Sequence, residues 1–352
     1  MHRRDFLQKS ALASFALSFP AMPSLFKDMH MGVVVHSYAS RWNPKESSQK
    51  YPAFTDAIQL IEHCHQIGAG GVQVGVNKWT TDFAKKVRDK REKLGMYLEG
   101  SIALPKKPED VSLFKQEVKN AQEAGVQILR TVSLGGRRYE TFQSKDAYNK
   151  YKQNAIAALQ LAEPVLKKHK LKLGVENHKD WFAEELVQVL KQINSEYIGV
   201  TLDFGNSIAL LEDPMHVVET LVPYTFTTHV KDMAVEEYPD GFLLSEVPLG
   251  KGFLDLPKIV ELCKKHNPAV TFNLEMITRD PLEIPCLKDE YWATFDQMNG
   301  KELARILRMV RKHKQAEGLP RFSQLSTDER LAAEEVNIQQ CLAYSKTTLG
   351  IK

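Results

Sequence analysis

The 352-residue sequence predicts an α/β protein, a (β/α)8 or TIM barrel, from three observations. Short apolar runs rich in β-branched residues alternate with amphipathic segments of helical spacing, and eight such units follow residue 30. Several helical segments end at a glycine that leads into the next strand, as at Gly68, Gly95 and Gly125. The first strand is followed by HSYASRW (36–42), which is not the glycine-rich turn expected of the rival, a doubly wound sheet.

The predicted strands are short segments that are apolar or alternate in polarity. They are 31–37, 71–76, 96–103, 126–133, 171–176, 197–203, 225–231 and 269–276. Segments with helical spacing lie between and after them, for instance 54–67, 110–124, 181–193, 255–266 and 301–314. We place the barrel domain at 27–318 and a C-terminal helical appendage at 319–352. A capping box formed by Ser326 and Glu329 opens the helix of this appendage.

Residues 1–26 have the composition of an export signal. The stretch RRDFL starts at Arg3, and a short apolar run extends from Ala11 to Phe19. This pattern resembles the twin-arginine signal and predicts an exported, periplasmic protein of a bacterium. The alternative is an amphipathic N-terminus with no targeting role. The apolar run is too short for a membrane span, so we expect no stable membrane insertion after export.

Composition limits the classes of partner. The formal net charge is only +3, and the basic residues are scattered along helices, so we expect no nucleic-acid partner. The four cysteines lack zinc-knuckle and CxxC spacing; they are Cys64, Cys263, Cys286 and Cys341. A small molecule is the expected partner, and a homo-oligomer stays open.

Metal-competent residues stand at the C-terminal ends of the last four strands, where barrel enzymes place their active sites. They are Glu176, Asp203, His229 and Glu275. Each alone has a bland explanation, such as helix capping or a hydrogen-bonded core histidine. Together, three carboxylates and one imidazole at similar depth would repel one another without a cation. We predict one divalent ion and take Mn²⁺ first, with Mg²⁺, Co²⁺ or Zn²⁺ as alternatives.

Five motifs in this order, GVENH, LDFGN, HVKD, GKGFLD and NLEM, resemble the xylose isomerase-like TIM barrel family over residues 31–315. Its members include D-tagatose 3-epimerase, hydroxypyruvate isomerase and the apurinic-site endonucleases. The resemblance implies that the four strand-end residues bind the metal ion. It also implies that Glu176 and Glu275 are the acid–base pair that flanks the substrate carbon.

Other polar side chains near these strand ends are candidates for binding the substrate. They are His178, Asn206, Lys231, Arg279 and His36. Asn206 stands where the epimerases have a histidine and cannot carry a proton at neutral pH, so their substrate preference does not transfer. For Lys231 the alternative is a solvated lysine, and Arg130 is a further cationic candidate. For LGKGFLDL (249–256) we favour a tight turn over a phosphate-binding loop.

The predicted function is that of a divalent-metal-dependent sugar isomerase or epimerase. It would remove a proton from the carbon next to a carbonyl, with a metal-bound enediolate as the intermediate. We expect a carbohydrate substrate without phosphate, because export separates the protein from cytosolic sugar phosphates. One alternative is a lyase or hydrolase that eliminates the aglycone of a 3-keto-glycoside, and another is a non-catalytic carbohydrate-binding protein. An endonuclease is disfavoured, because few strand ends carry histidine.

Overall fold

The computed structural model describes residues 29–42, 44, 46, 48–295 and 300–352. The predicted export signal lies outside these residues. Within them, eight parallel strands close into a barrel with helices between the strands, and a further helix follows at the C-terminus. The predicted TIM barrel is therefore confirmed.

Each barrel strand hydrogen-bonds to a neighbour on both sides. The strands are β1 (Met31–Val34), β2 (Gly71–Gly75), β3 (Tyr97–Ser101), β4 (Ile128–Thr131), β5 (Lys172–Glu176), β6 (Ile198–Asp203), β7 (Thr225–Val230) and, after two strands outside the barrel, β10 (Thr271–Leu274). They follow one another around the barrel in chain order, and β10 closes it by pairing with β1. Every strand lies within its predicted segment, and the polar ends of several predicted segments belong to the loops.

The helices surround the barrel and pack through apolar faces. They are α1 (Ala39–Trp42), α2 (Ala57–Gln66), α3 (Thr81–Lys93), α4 (Val111–Glu123), α5 (Arg138–Thr141), α6 (Lys145–His169), α7 (Ala183–Ile193), α8 (Pro214–Leu221), α9 (Leu256–His266), α10 (Gly300–His313) and α11 (Thr327–Tyr344). Side-chain caps fix several starts, such as Asp56 before α2 and Ser144 before α6. A helix long and apolar enough to cross a membrane is not found in the described part of the chain.

After β7 the chain does not lead directly into a helix. There the chain forms a hairpin of β8 (Asp232–Tyr238) and β9 (Gly241–Val247), and β11 (Leu282–Ile284) adds a third antiparallel strand. This small sheet packs against α10 in a shared apolar core, where Phe242 of β9 and Ile306 of α10 are both buried. The hairpin of β8 and β9 separates β7 from α9 along the chain. Its strand β9 places Glu246 at the mouth of the barrel, where this residue pairs with Arg279.

The loop that contains the GKG sequence closes on a carboxylate of the chain itself. Asp232 Oδ2 accepts hydrogen bonds from Gly250 N and Gly252 N, both at 2.9 Å, and its Oδ1 accepts from Leu254 N at 3.2 Å. A Cβ atom at Gly252 would collide with this carboxylate, so glycine is required by the close approach. The segment is the tight turn that the sequence favoured, and its N–H groups already have an anionic partner.

The C-terminal helix packs against the loop that follows β1. Its capping box is present, since Ser326 Oγ accepts from Glu329 N and Ser326 N donates to Glu329 Oε2. Glu334 Oε1 accepts from Ser40 N at 2.9 Å, and Glu335 Oε2 accepts from Arg41 at 3.1 Å. The predicted appendage is therefore bonded to the barrel along its length.

Glu334 gives this contact a pH dependence. Burial raises the pKa of its carboxyl to about 7, against the hydrogen bond from Ser40 N. Because the folded-state pKa is raised, the stabilisation is complete below about pH 4.5 and is lost as the pH rises through about 7. We expect Glu334→Gln to exceed the wild type in free energy of unfolding by about 3 kcal/mol at about pH 8.5 and to match it at about pH 4.5.

Urea unfolding of both proteins at the two pH values measures this difference. Asp328→Asn, on an exposed carboxylate of the same helix, controls for the loss of one charge. If Glu334→Gln and the wild type differ in free energy of unfolding by the same amount at both pH values, the raised pKa of Glu334 is contradicted.

Candidate metal centre at the mouth of the barrel

The four predicted metal ligands meet at the C-terminal ends of neighbouring strands. Glu176 ends β5, Asp203 ends β6, His229 lies near the end of β7, and Glu275 follows β10. The register brings them together, because Asp203 pairs with His229 across β6 and β7. All four are buried, and each offers one ligand atom within 4.8 Å of the other three.

One divalent ion fits this arrangement. Ligands at opposite sides of a Mg²⁺-sized ion stand ~4.2 Å apart, so a spread of up to 4.8 Å needs only a small inward movement. His229 Nδ1 is an independent indication. This atom is buried and lacks a hydrogen-bond partner among the described residues, and it lies 3.4 Å from Glu176 Oε2 and 3.5 Å from Glu275 Oε1. A cation would satisfy it.

Gln73 on β2 and Glu99 on β3 fix the orientation of the imidazole ring. His229 Nε2 donates to Gln73 Oε1 at 2.8 Å, and Gln73 Nε2 donates to Glu99 Oε2 at 2.9 Å. Because Gln73 Oε1 can only accept, Nε2 carries a proton, and Nδ1 is the ring nitrogen that faces the carboxylates and would bind a cation. The sequence patterns did not single out either residue. The available signal was a polar residue inside an otherwise apolar strand.

We expect Gln73→Leu to weaken metal binding by about 10–100-fold. Leucine has a similar volume but cannot accept a hydrogen bond from His229 Nε2. The ring therefore loses the contact that keeps Nδ1 directed toward the metal centre. Calorimetric titration with Mn²⁺ measures the effect, and Gln153→Leu, on an exposed position of α6, is the matched control. A folded Gln73→Leu protein with wild-type metal affinity would show that the ring is oriented by other contacts.

Cations are bonded to the three carboxylates of the centre. Arg130 Nε donates to Glu176 Oε2 at 2.6 Å, and Lys231 Nζ lies 2.8 Å from Asp203 Oδ2 and 2.7 Å from Glu275 Oε2. Burial alone would raise the pKa of Glu176, but the Arg130 guanidinium holds it at about 2. Lys231 likewise holds the pKa of Glu275 well below its usual value, against burial. Both glutamates are therefore ionised at neutral pH.

Asn206 connects the centre to two lysines. Its Nδ2 donates to Glu176 Oε1 at 2.8 Å, whereas its Oδ1 accepts from Lys179 and, at 3.5 Å, from Lys231. The alternative of a solvated Lys231 is wrong, because this residue is only 1% exposed. Lys179 was not predicted. It lies in the polar stretch that follows β5, and only its position there pointed to it.

Three other predicted substrate-binding residues lie around the same mouth. His36 Nδ1 is 3.0 Å from Glu275 Oε1, with a side chain about half exposed. Arg279 Nε donates to Glu246 Oε2 at 3.1 Å and so joins the mouth to the small sheet. His178 Nδ1 is buried without a partner in the described ranges, and burial lowers the pKa of this ring to about 3. Contact of these side chains with a substrate stays a prediction.

The closed barrel and its buried acidic cluster define a TIM-barrel protein with a candidate site for one divalent ion. A family model narrows this class: the model described as xylose isomerase-like TIM barrel matches residues 61–312. The chain belongs to that family.

Known proteins similar to this chain carry different activities. The 3-oxo-isoapionate decarboxylase of Pectobacterium atrosepticum is 26% identical over 232 residues, which span 64% of this chain and 78% of that protein. D-psicose 3-epimerase, solved in the presence of D-fructose, superposes with a TM-score of 0.57 at 15% identity and covers 92% of this chain and 100% of its own. A barrel from Mycobacterium smegmatis in complex with magnesium has a TM-score of 0.57 at 14% identity, with 81% and 100% covered. At such identities the two structures show the fold alone.

Proposed function

We propose that this chain is a divalent-metal-dependent carbohydrate isomerase or epimerase in which Glu176 and Glu275 exchange a proton with the carbon next to a substrate carbonyl. One observation carries the proposal: two carboxylates from different strands belong to the same metal-competent cluster, and both are held ionised by basic partners. Family membership and the likeness to a sugar epimerase support it.

The chemistry needs help from the bound ion, because carboxylates of low pKa are weak bases. A divalent ion at the centre would polarise a carbonyl and stabilise the negative charge that develops when the neighbouring proton leaves. Arg130 keeps Glu176 ready to accept that proton. Protonation of Glu275 would remove one anionic partner of Lys231, whose ammonium could then stabilise charge on a substrate oxygen. Delivery of a proton to the opposite face by Glu275, once that carboxylate has taken a proton from solvent, would give epimerisation; return of the abstracted proton by Glu176 to the adjacent carbon would give isomerisation.

We propose Mn²⁺ as the ion, with Mg²⁺, Co²⁺ and Zn²⁺ as alternatives. Three carboxylates and one imidazole form an oxygen-rich set that suits hard or borderline cations. The structural neighbour in complex with magnesium supports a divalent ion without choosing among these. Elemental analysis of the purified protein identifies the metal.

A lyase is the second candidate, and the similarity to a decarboxylase favours it. Decarboxylation breaks a C–C bond and leaves its electron pair next to a carbonyl, as proton abstraction leaves the C–H pair. Elimination from a 3-keto-glycoside would begin with the same proton abstraction, and the C–O bond to the aglycone would then break, with the aglycone taking the electron pair.

Incubation of the metal-loaded protein in D₂O with keto-sugars, 3-keto-glycosides and 3-oxo sugar acids separates the candidates. Deuterium on carbon without loss of a group supports the isomerase or epimerase. Release of an aglycone or of CO₂ supports the lyase. Saturable binding with neither outcome would favour a non-catalytic carbohydrate-binding protein.

We also propose that residues 1–26 direct export to the periplasm and that the substrate lacks phosphate. Support comes from the twin arginine and the short apolar run. The double substitution Arg3→Lys/Arg4→Lys should leave precursor in the cytoplasmic fraction. Unchanged periplasmic protein would contradict twin-arginine export.

A further inference from the structure

Apart from the histidines, the described charged side chains at the mouth of the barrel are four cations and four carboxylates. The cations are Arg130, Lys179, Lys231 and Arg279, and the carboxylates are Glu176, Asp203, Glu275 and Glu246. A single divalent ion therefore adds two positive charges to a set that already balances. Because these groups are mostly buried, solvent screens such an excess poorly.

Other titratable groups near the centre do not remove this excess. Glu99 and Asp180 are bonded away from the mouth, to Thr227 and Tyr151 among others. Burial raises the pKa of both carboxyls.

Lys179 is the cation with the least compensation. It is 4% exposed, and in the described part of the chain its ammonium has one hydrogen-bond partner, the uncharged Oδ1 of Asn206. An ammonium has three donors. Lys231 approaches the same oxygen at 3.5 Å, so two like charges share one amide acceptor. Burial, and then Lys231, lower the pKa of Lys179 to about 8, so that it is still mostly charged at neutral pH.

A phosphate ester lacks one common anchor in this barrel. Many TIM barrels bind phosphate with backbone N–H groups of the loops after strands seven and eight. Here the N–H groups of Gly250, Gly252 and Leu254 are bonded to Asp232. A carboxylate needs fewer donors, and Lys179 has N–H groups with no hydrogen-bond partner among the described residues.

We propose that the substrate is a sugar acid, and that Lys179 together with Lys231 binds its carboxylate beside the metal centre. This inference rests on the proposed function, because the uncompensated charge arises when the divalent ion is bound. Asn206 acts as a positioning residue, since its amide oxygen holds both ammonium groups on the side of the centre that faces Glu176.

A matched pair of minimal ligands tests the inference. Glycolate and its neutral amide, glycolamide, share a hydroxyl next to a carbonyl carbon and differ in charge. We expect the Mn²⁺-loaded protein to bind glycolate at least about 10-fold more tightly than glycolamide, as measured by calorimetry and by displacement of Mn²⁺-bound water in proton relaxation. Lys179→Met should reduce this preference markedly, and the remainder reflects the attraction of the anion to Mn²⁺ itself.

Two variants control for folding and net charge. Lys179→Arg keeps a cation and should retain most of the preference, and Lys258→Met removes an exposed charge from α9 and should change nothing. Equal binding of glycolate and glycolamide by the wild type, or an undiminished preference in a folded Lys179→Met protein, would overturn the proposal. If inorganic phosphate binds more tightly than glycolate, and Lys179→Met removes that binding, the proposed carboxylate substrate is wrong and a phosphorylated substrate takes its place.

Failure of the underlying function has a different signature. A protein that takes up no Mn²⁺ contradicts the metal-dependent mechanism. A protein that takes up Mn²⁺ and does not distinguish glycolate from glycolamide contradicts only the sugar-acid assignment.

Discussion

Glu275→Gln is expected to lower turnover by about 10²–10⁴-fold while the protein stays folded. The amide cannot accept a proton, and it turns an anionic ligand into a neutral one. It also removes the charge that Lys231 Nζ contacts at 2.7 Å and His36 Nδ1 at 3.0 Å. We expect weaker metal binding as well, although Glu176, Asp203 and His229 remain.

Turnover on the substrate found in the D₂O screen, measured at saturating Mn²⁺, separates loss of chemistry from loss of metal. The matched control is Glu212→Gln. Glu212 is buried like Glu275, but burial raises its pKa to about 8, so an amide replaces a group that is already mostly neutral. Wild-type turnover in Glu275→Gln would remove this residue from the mechanism.

Arg138→Met is expected to lower the free energy of unfolding by about 3 kcal/mol. This arginine, on α5, is 2% exposed and donates to Thr294 O at 2.7 Å, to Glu185 Oε2 at 3.0 Å and to Tyr148 OH at 3.0 Å. Its guanidinium also lies 3.7 Å from the centre of the Tyr148 ring. Methionine keeps the stem and loses every one of these contacts. Glu185 is partly exposed, so the loss falls at the low end for a broken buried ion pair.

Thermal unfolding should show a fall of about 4 °C in Tm for this loss. Arg137→Met is the neighbouring control, because Arg137 is partly exposed and its ion pair with Glu140 lies at the surface. Such pairs contribute about 0–1 kcal/mol. Equal Tm values for Arg138→Met and Arg137→Met would show that the buried network stabilises the fold no more than a surface pair does.

The sequence predicted the barrel and the four candidate ligands because both depend on local pattern. An apolar strand that ends in a polar residue, as at Glu176, Asp203 and Glu275, places that residue at the mouth once the strands are parallel. Similar spacing between successive strand ends along the chain places these residues at a similar depth in the mouth of the barrel. These features need no knowledge of which strands face each other across the barrel.

The contacts around the centre could not be predicted in this way. His229 on β7 meets Gln73 on β2, 156 residues away along the chain, and the two strands are not neighbours in the barrel. Whether Lys231 is solvated or buried depends on Glu275, which a separate strand supplies. The sheet of β8 and β9 is completed by β11, which comes after the last barrel strand. Such contacts depend on closure of the barrel.

The C-terminal helix sets practical limits on shortening this protein. The family model stops at residue 312, so a fragment designed from it would omit α11. That fragment would expose the backbone N–H of Ser40 and leave Arg41 without Glu335. The same loop begins with His36, which touches Glu275. Expression fragments and fusion junctions should therefore retain residues 327–344. Removing them would break the contacts that hold in place the segment carrying His36 at the mouth of the barrel.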